Sequence, residues 1–225
     1  MVALFVAFMF VVLVLTDLVV EKVRARRAAA AAGADALASL PKGFYLCEGH
    51  TWSYPDSSLG MRVGVDALVA HALGSAENVV LPEVGELVEA GQWLFGLRRQ
   101  GHELRIPSSI TGRVISVNSR LAKRPELVAK EPYGSGWICA ISPVRADAGS
   151  PRIRSGEQAA LWLEQEMHRF REFLSRQVSP DLTFSATLAD GGLPVTGSLR
   201  ELTATGWRAF EVEFLDSEGT EEARG

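Results

Sequence analysis

The sequence predicts an α+β protein, mainly β, with a transmembrane helix at its N-terminus and a helical extension at its C-terminus. Three observations carry this. Residues 2–15 contain no polar side chain. A central stretch of short apolar runs is punctuated by glycine, proline and asparagine, the pattern of many short strands. Helical periodicity then sets in near Glu157. At 225 residues the chain can bury a full core without disulfide or metal staples. Its 47% hydrophobic and 22% charged content excludes disorder throughout, and a net charge of −4 argues against a nucleic-acid surface. Cys47 and Cys139 are far apart and outside any CxxC, which excludes a disulfide framework and a zinc site of the usual spacing. Both are expected as buried thiols.

If Thr16 and Asp17 are tolerated near one end, the apolar run extends through Val20, and ~20 residues at ~1.5 Å rise span a ~30 Å hydrocarbon core. Lys22, Arg24, Arg26 and Arg27 follow it against Glu21, while no basic side chain precedes it, which favours an anchor over a cleaved signal. The positive-inside rule then puts the N-terminus outside and the body in the cytoplasm. The expectation is a single-pass protein of the cell (inner) membrane, with residues 1–20 in the bilayer. Asp17 is the one ionisable group of the span, four residues from Glu21 and expected at headgroup level. Residues 21–42 read as a basic flank and an alanine-rich stalk that Pro41 ends.

Over 43–143, strands are expected at Val79-Val80-Leu81-Pro82, Trp93-Leu94-Phe95-Gly96-Leu97, Leu104-Arg105-Ile106, 112–118 and 137–141. One helix is expected over 65–73, with Val65, Leu68, Val69, Ala72 and Leu73 on one face and Gly74 as its stop. A linker at 144–156 leads into the extension, 144–215. There a helix over 157–177 sets Trp162, Phe170, Phe173 and Leu174 against His168, Arg171 and Arg176. Asp190-Gly191-Gly192 marks a turn. Trp207, Phe210 and Phe214 suggest a last helix capped near Thr203 or Thr205, although the alternation Phe210, Val212, Phe214 leaves a strand open. Residues 216–225 form an acidic tail.

Several separated pieces then occur in a telling order. Tyr45 with Glu48, His50 and Trp52 comes first, then Val63-Gly64-Val65 with a helix ending at Leu73-Gly74. Leu81-Pro82-Glu83-Val84-Gly85 continues to Gly91, and Thr111-Gly112-Arg113-Val114-Ile115-Ser116-Val117-Asn118 follows. Pro125-Glu126-Leu127-Val128 and Glu131-Pro132-Tyr133-Gly134-Ser135-Gly136-Trp137 close the series. Together they resemble the H protein of the glycine cleavage system, a lipoyl carrier. The resemblance implies a lipoyl-type flattened β sandwich, or hybrid barrel, in which two pseudo-symmetric sheets meet. In physical terms Gly85, Gly91 and Gly112 suit turns, Pro82 and Pro107 suit strand edges, and Trp52, Trp93 and Trp137 suit a core.

The resemblance also implies a lysine at the tip of a hairpin, where a lipoyl group is carried in amide linkage. Matching by the spacing from Gly91 to Gly112 puts Gly101 at that position. Matching from Phe95-Gly96 gives His102, and counting back from Pro107 gives Arg99. None is lysine, no lysine occurs over 43–122, and Lys123 and Lys130 lie beyond the second glycine turn. No lipoyl cofactor is therefore expected. The replacement segment, Arg98-Arg99-Gln100-Gly101-His102-Glu103-Leu104-Arg105, reads as a hairpin turning at Gln100-Gly101. Arg98, Arg99, His102 and Arg105 are the partner-binding candidates, suited to carboxylates or anionic headgroups, or else a solvated edge against strand pairing. The stripe Trp162, Phe170, Phe173 is a second candidate face, or else ordinary core, the more usual fate of such a stripe.

Nothing in the pattern marks an enzyme. The four histidines have no HxH or HExxH spacing, no serine sits in a GxSxG turn, and Gly96 to Gly101 lacks a phosphate loop's lysine and hydroxyl. Asp181, Asp190 and Glu201 form no acid/base pattern. The expectation is a non-catalytic, metal-free, membrane-anchored binding or scaffold subunit of a membrane-associated complex, redox chemistry among the options. It would touch the lipid bilayer and other protein subunits, but no nucleic acid. The alternatives are a regulatory paralogue that binds glycine cleavage or lipoylation enzymes, and a carrier that uses another site such as Cys47 or Cys139.

Overall fold

The computed structural model describes residues 40–144, 153–177 and 196–215. The expected anchor, most of the stalk, the turn at Asp190 and the acidic tail lie outside these residues. Among the described residues no helix is long and apolar enough to cross a membrane.

The domain opens with three antiparallel strands, β1 (Tyr45–Cys47), β2 (Thr51–Asp56) and β3 (Gly60–Val65). The β2–β3 connection is an Asx-type turn: Asp56 Oδ1 accepts from the Ser58 and Leu59 amides at 2.9 and 3.2 Å. Trp52 and Gly64 face each other across β2 and β3, and a Cβ at Gly64 would lie 2.6 Å from the indole. The glycine is therefore required by the fully buried Trp52, whose Nε1 donates to Pro132 O at 3.1 Å. Gly64→Ala is expected to cost about 1–3 kcal/mol by overpacking, checked by urea denaturation of the two chains.

Helix α1 (Ala67–Leu73) starts two residues later than the apolar periodicity suggested, because Val65 is the last residue of β3 and pairs with Thr51. Asp66 caps it by accepting from the Val69 amide at 3.0 Å, and Gly74 ends it at φ +70°. Then come β4 (Asn78–Val80), β5 (Leu87–Val88), β6 (Trp93–Arg99), β7 (His102–Pro107) and β8 (Gly112–Val117). A short helix α2 (Leu127–Lys130) precedes β9 (Cys139–Pro143). The stretch read as a linker contains β10 (Arg154–Ser155), which pairs with β1 and leads directly into α3 (Gly156–Gln177).

The strands form a seven-stranded sheet in the order β10-β1-β2-β3-β9-β8-β5 and a three-stranded sheet in the order β4-β6-β7. Their inward residues, among them Leu46, Trp52, Phe95, Leu97, Leu104 and Ile106, share one core with α1 and the extension. Trp93 is not part of it. A β-bulge between Trp93 and Phe95 turns the indole outward, leaving it 50% exposed, and Trp137 is only half-buried.

The extension closes with α4 (Ala204–Phe210), capped by the Thr203 hydroxyl accepting from the Gly206 amide at 3.2 Å, and runs on as a π-turn over Glu211–Leu215. The helical reading of Trp207, Phe210 and Phe214 therefore holds over the strand reading. Phe170 and Phe173 of α3 are buried against Phe210 and Phe214. Of the α3 stripe, Phe170 and Phe173 are therefore interior, as its core reading has it, and Trp162 is half-buried.

Candidate functional site

Strands β6 and β7 pair through Arg99 and His102, leaving Gln100 and Gly101 as a two-residue turn with φ of +50° and +76°. Two positive φ values define a type I′ hairpin turn, for which glycine is the favoured second residue. Gly101 is exposed at the tip and nothing lies within 4 Å of where its Cβ would be. The tip thus presents backbone where the resemblance implies an amine.

The four candidate residues have separate fates. Arg99 turns inward and donates to the Leu73 carbonyl at the end of α1. His102 stacks on Trp207 with ring centroids 4.7 Å apart and 8° between planes. Arg98 is exposed but lies 2.5 Å from Glu103 Oε2. Arg105 is exposed, with its guanidinium 5.7 Å from the Trp93 ring. The Gly197 amide donates to His71 O at 2.8 Å, and the Arg105 amide donates to Glu211 Oε1 at 3.4 Å. The extension therefore packs against α1 and along β7, at His102 and Arg105, and leaves the hairpin's turn open.

A second cluster, not foreseen as a unit, is enclosed by the domain and the extension. His50, with φ +58°, places Nδ1 2.7 Å from Asp66 Oδ2 and Nε2 3.7 Å from Glu166 Oε2. Glu166 is bridged at 2.7 Å by Arg169 Nη1, and Arg169 Nη2 donates to the Glu213 carbonyl at 2.9 Å. Trp162 and Phe214 cover the imidazole, with centroids 5.0 and 6.0 Å away. Burial alone would depress the imidazole pKa, but the charges and hydrogen bonds of Asp66 and then Glu166 outweigh it and raise it to about 9. His50 is therefore a cation at neutral pH, held between two carboxylates. With His50 1% and Asp66 0% exposed, no substrate reaches the pair. Its role is to tie β1–β3 and α1 to α3 and the C-terminal turn. One signal was legible: Glu166 stands among Leu163, Met167 and Phe170 on the apolar side of α3, three residues before a matching arginine.

Cys47 and Cys139 are buried, and burial pushes both thiols up to about 12. Among the described residues no group of three His, Cys, Asp or Glu side chains is arranged to hold a metal.

Two antiparallel sheets around one core, with a protruding two-residue hairpin, define a carrier-type β domain of the lipoyl class. A family model, "Glycine cleavage H-protein", matches residues 44–166, and the chain belongs to that family. It is similar to the glycine cleavage system H protein of Thermus thermophilus, 35% identical over 104 residues, covering 46% of this chain and 80% of that one. The H protein of Hydrogenovibrio crunogenus is 33% identical over 104 residues, covering 46% and 81%. Among solved structures, the H protein of Mycobacterium marinum aligns with a TM-score of 0.48 at 25% identity, over 55% of this chain and 98% of that one. The family match stops at Glu166, so the second half of α3 and all of α4 lie outside it.

Proposed function

We propose that this chain is a non-catalytic binding or scaffold subunit built on an H-protein domain, anchored in the membrane through residues 1–20 and not lipoylated. One observation carries the reading: the turn that would bear the lipoyl group in the resemblance is Gln100-Gly101, and no lysine occurs anywhere over 43–122. The hairpin supports it. A carrier needs an exposed amine at the tip, whereas here the open turn offers none and the residues flanking it are engaged, His102 stacked on Trp207 and Arg99 committed to α1. Attachment through Cys47 or Cys139 is disfavoured by the burial that holds both thiols protonated. The mechanism is docking, with the apolar N-terminal run setting the location at the cytoplasmic face of the cell membrane.

The reading is tested by mild detergent extraction of the tagged full chain from its native membrane. Membrane subunits are expected to co-purify in fixed ratio. Glycine cleavage or lipoylation enzymes in place of membrane subunits among the co-purifying proteins would favour the regulatory alternative and reject this one.

A further inference from the structure

Where the extension meets the small sheet, a groove of about 220 Å³ opens between Trp93, Arg105 and Pro107 on one side and Arg208, Glu211 and Val212 on the other. Trp93 and Val212 are each 50% exposed. The indole N–H is spent on Phe95 O at 2.9 Å, so what Trp93 offers the groove is its apolar ring. Arg105 flanks that ring, and Arg208 is exposed on α4. Among the described residues neither guanidinium is in an ion pair, and Glu211 spends one oxygen on the Arg105 backbone.

An exposed aromatic ring in a groove lined by two arginines outside ion pairs is the composition of an interaction hot spot. Its complement is a segment that presents carboxylates beside an apolar side chain. Residues 216–225 of this chain carry Asp216, Glu218, Glu221 and Glu222, but their only apolar side chain is Ala223. They would supply the charge and leave Trp93 and Val212 uncovered. One wall of the groove also lies beyond Glu166, where the family match ends, so the groove comes from adding the extension to the H-protein domain.

We propose that this groove docks an acidic segment of a partner protein, its carboxylates on Arg105 and Arg208 and an apolar side chain against Trp93 and Val212. The inference rests on the binding-subunit reading. Its test is a photo-cross-linking residue placed at Val212 of the full chain in its native membrane, with the same residue at exposed Leu87 as control. Irradiation at position 212 is expected to capture a peptide of a co-purifying subunit that contains clustered Asp or Glu beside an apolar residue. The yield should fall about ten-fold or more in the Arg105→Glu, Arg208→Glu chain. Capture of a non-acidic peptide, of a second copy, or of residues 216–225 would overturn the proposal, as would a yield indifferent to the charge reversal. If no subunit co-purifies at all, the binding-subunit reading fails as well. If subunits co-purify undiminished from the reversed chain, only the groove assignment is wrong.

Discussion

Replacing His50 with alanine is expected to destabilise the folded chain by about 3–5 kcal/mol, the cost of stripping the counter-ion from a buried pair. Asp66 and Glu166 are 0% and 5% exposed. Without the imidazolium between them, Asp66 keeps only its cap to α1, and Glu166 keeps only Arg169. The wild-type chain carries a matching pH signature. The folded pKa of about 9 stands above the ordinary 6.5, so the folded state holds the proton more tightly than the unfolded chain. The stabilisation is complete below pH 6.5, drains as pH rises, and is gone above about 9, a loss on the order of 3 kcal/mol at ~1.36 kcal/mol per unit. Urea midpoints taken from pH 6 to 8 should already fall, and they should stay flat over that range in His50→Asn, which tolerates the positive φ of this position; above pH 8 the buried Cys47 and Cys139 thiols add a loss of their own in both chains. A wild-type profile with no decline would mean that the buried histidine is neutral.

Phe210→Ala is expected to cost a further about 3–5 kcal/mol, placed differently in the chain. Phe210 is 0% exposed, with ring centroids 5.7, 5.9 and 5.0 Å from Phe170, Phe173 and Phe214. These four rings join α3 to α4 and the π-turn, so removing one leaves a cavity that the other three cannot close. The loss should concentrate in the extension. Amide exchange is expected to accelerate over 196–215 and the second half of α3 while β2, β3 and β9 keep their protection. As Trp207 loosens, His102 should lose its stacking partner. Uniform acceleration across both sheets would instead show that the extension and the H-protein domain unfold as one unit.

Much of this architecture was legible because apolar periodicity reports burial directly. Strands β6, β7 and β8, helix α3 and the cap at Thr203 all stand where side-chain pattern placed them. Illegible elements were those decided by partners distant in sequence. Strand β2 reads Thr-Trp-Ser-Tyr-Pro-Asp, a polar segment that becomes a strand only because β1 and β3 flank it. The two residues of β10 are strand only by pairing with β1. Val65 fits the helical face but belongs to β3, since Asp66 sets the helix start through its side chain. Trp93 fits a core by residue type, yet one bulge turns it to solvent. At the hairpin, the residues themselves showed the basic cluster, and the resemblance made the lack of a lysine notable. Neither could show that Trp207 covers His102, because that contact joins residues about a hundred positions apart through a segment the family match does not include. The His50–Glu166 contact escaped because it too joins residues more than a hundred positions apart.

If an H-protein domain serves here without a lipoyl group, the full chain purified from its native membrane has the intact mass of the bare polypeptide, measured alongside a lipoylated H protein from the same cells as the positive control. A lipoyl-sized increment, mapped by peptide analysis to Lys42, Lys123, Lys130 or any other residue, would contradict that reading and make the chain a carrier.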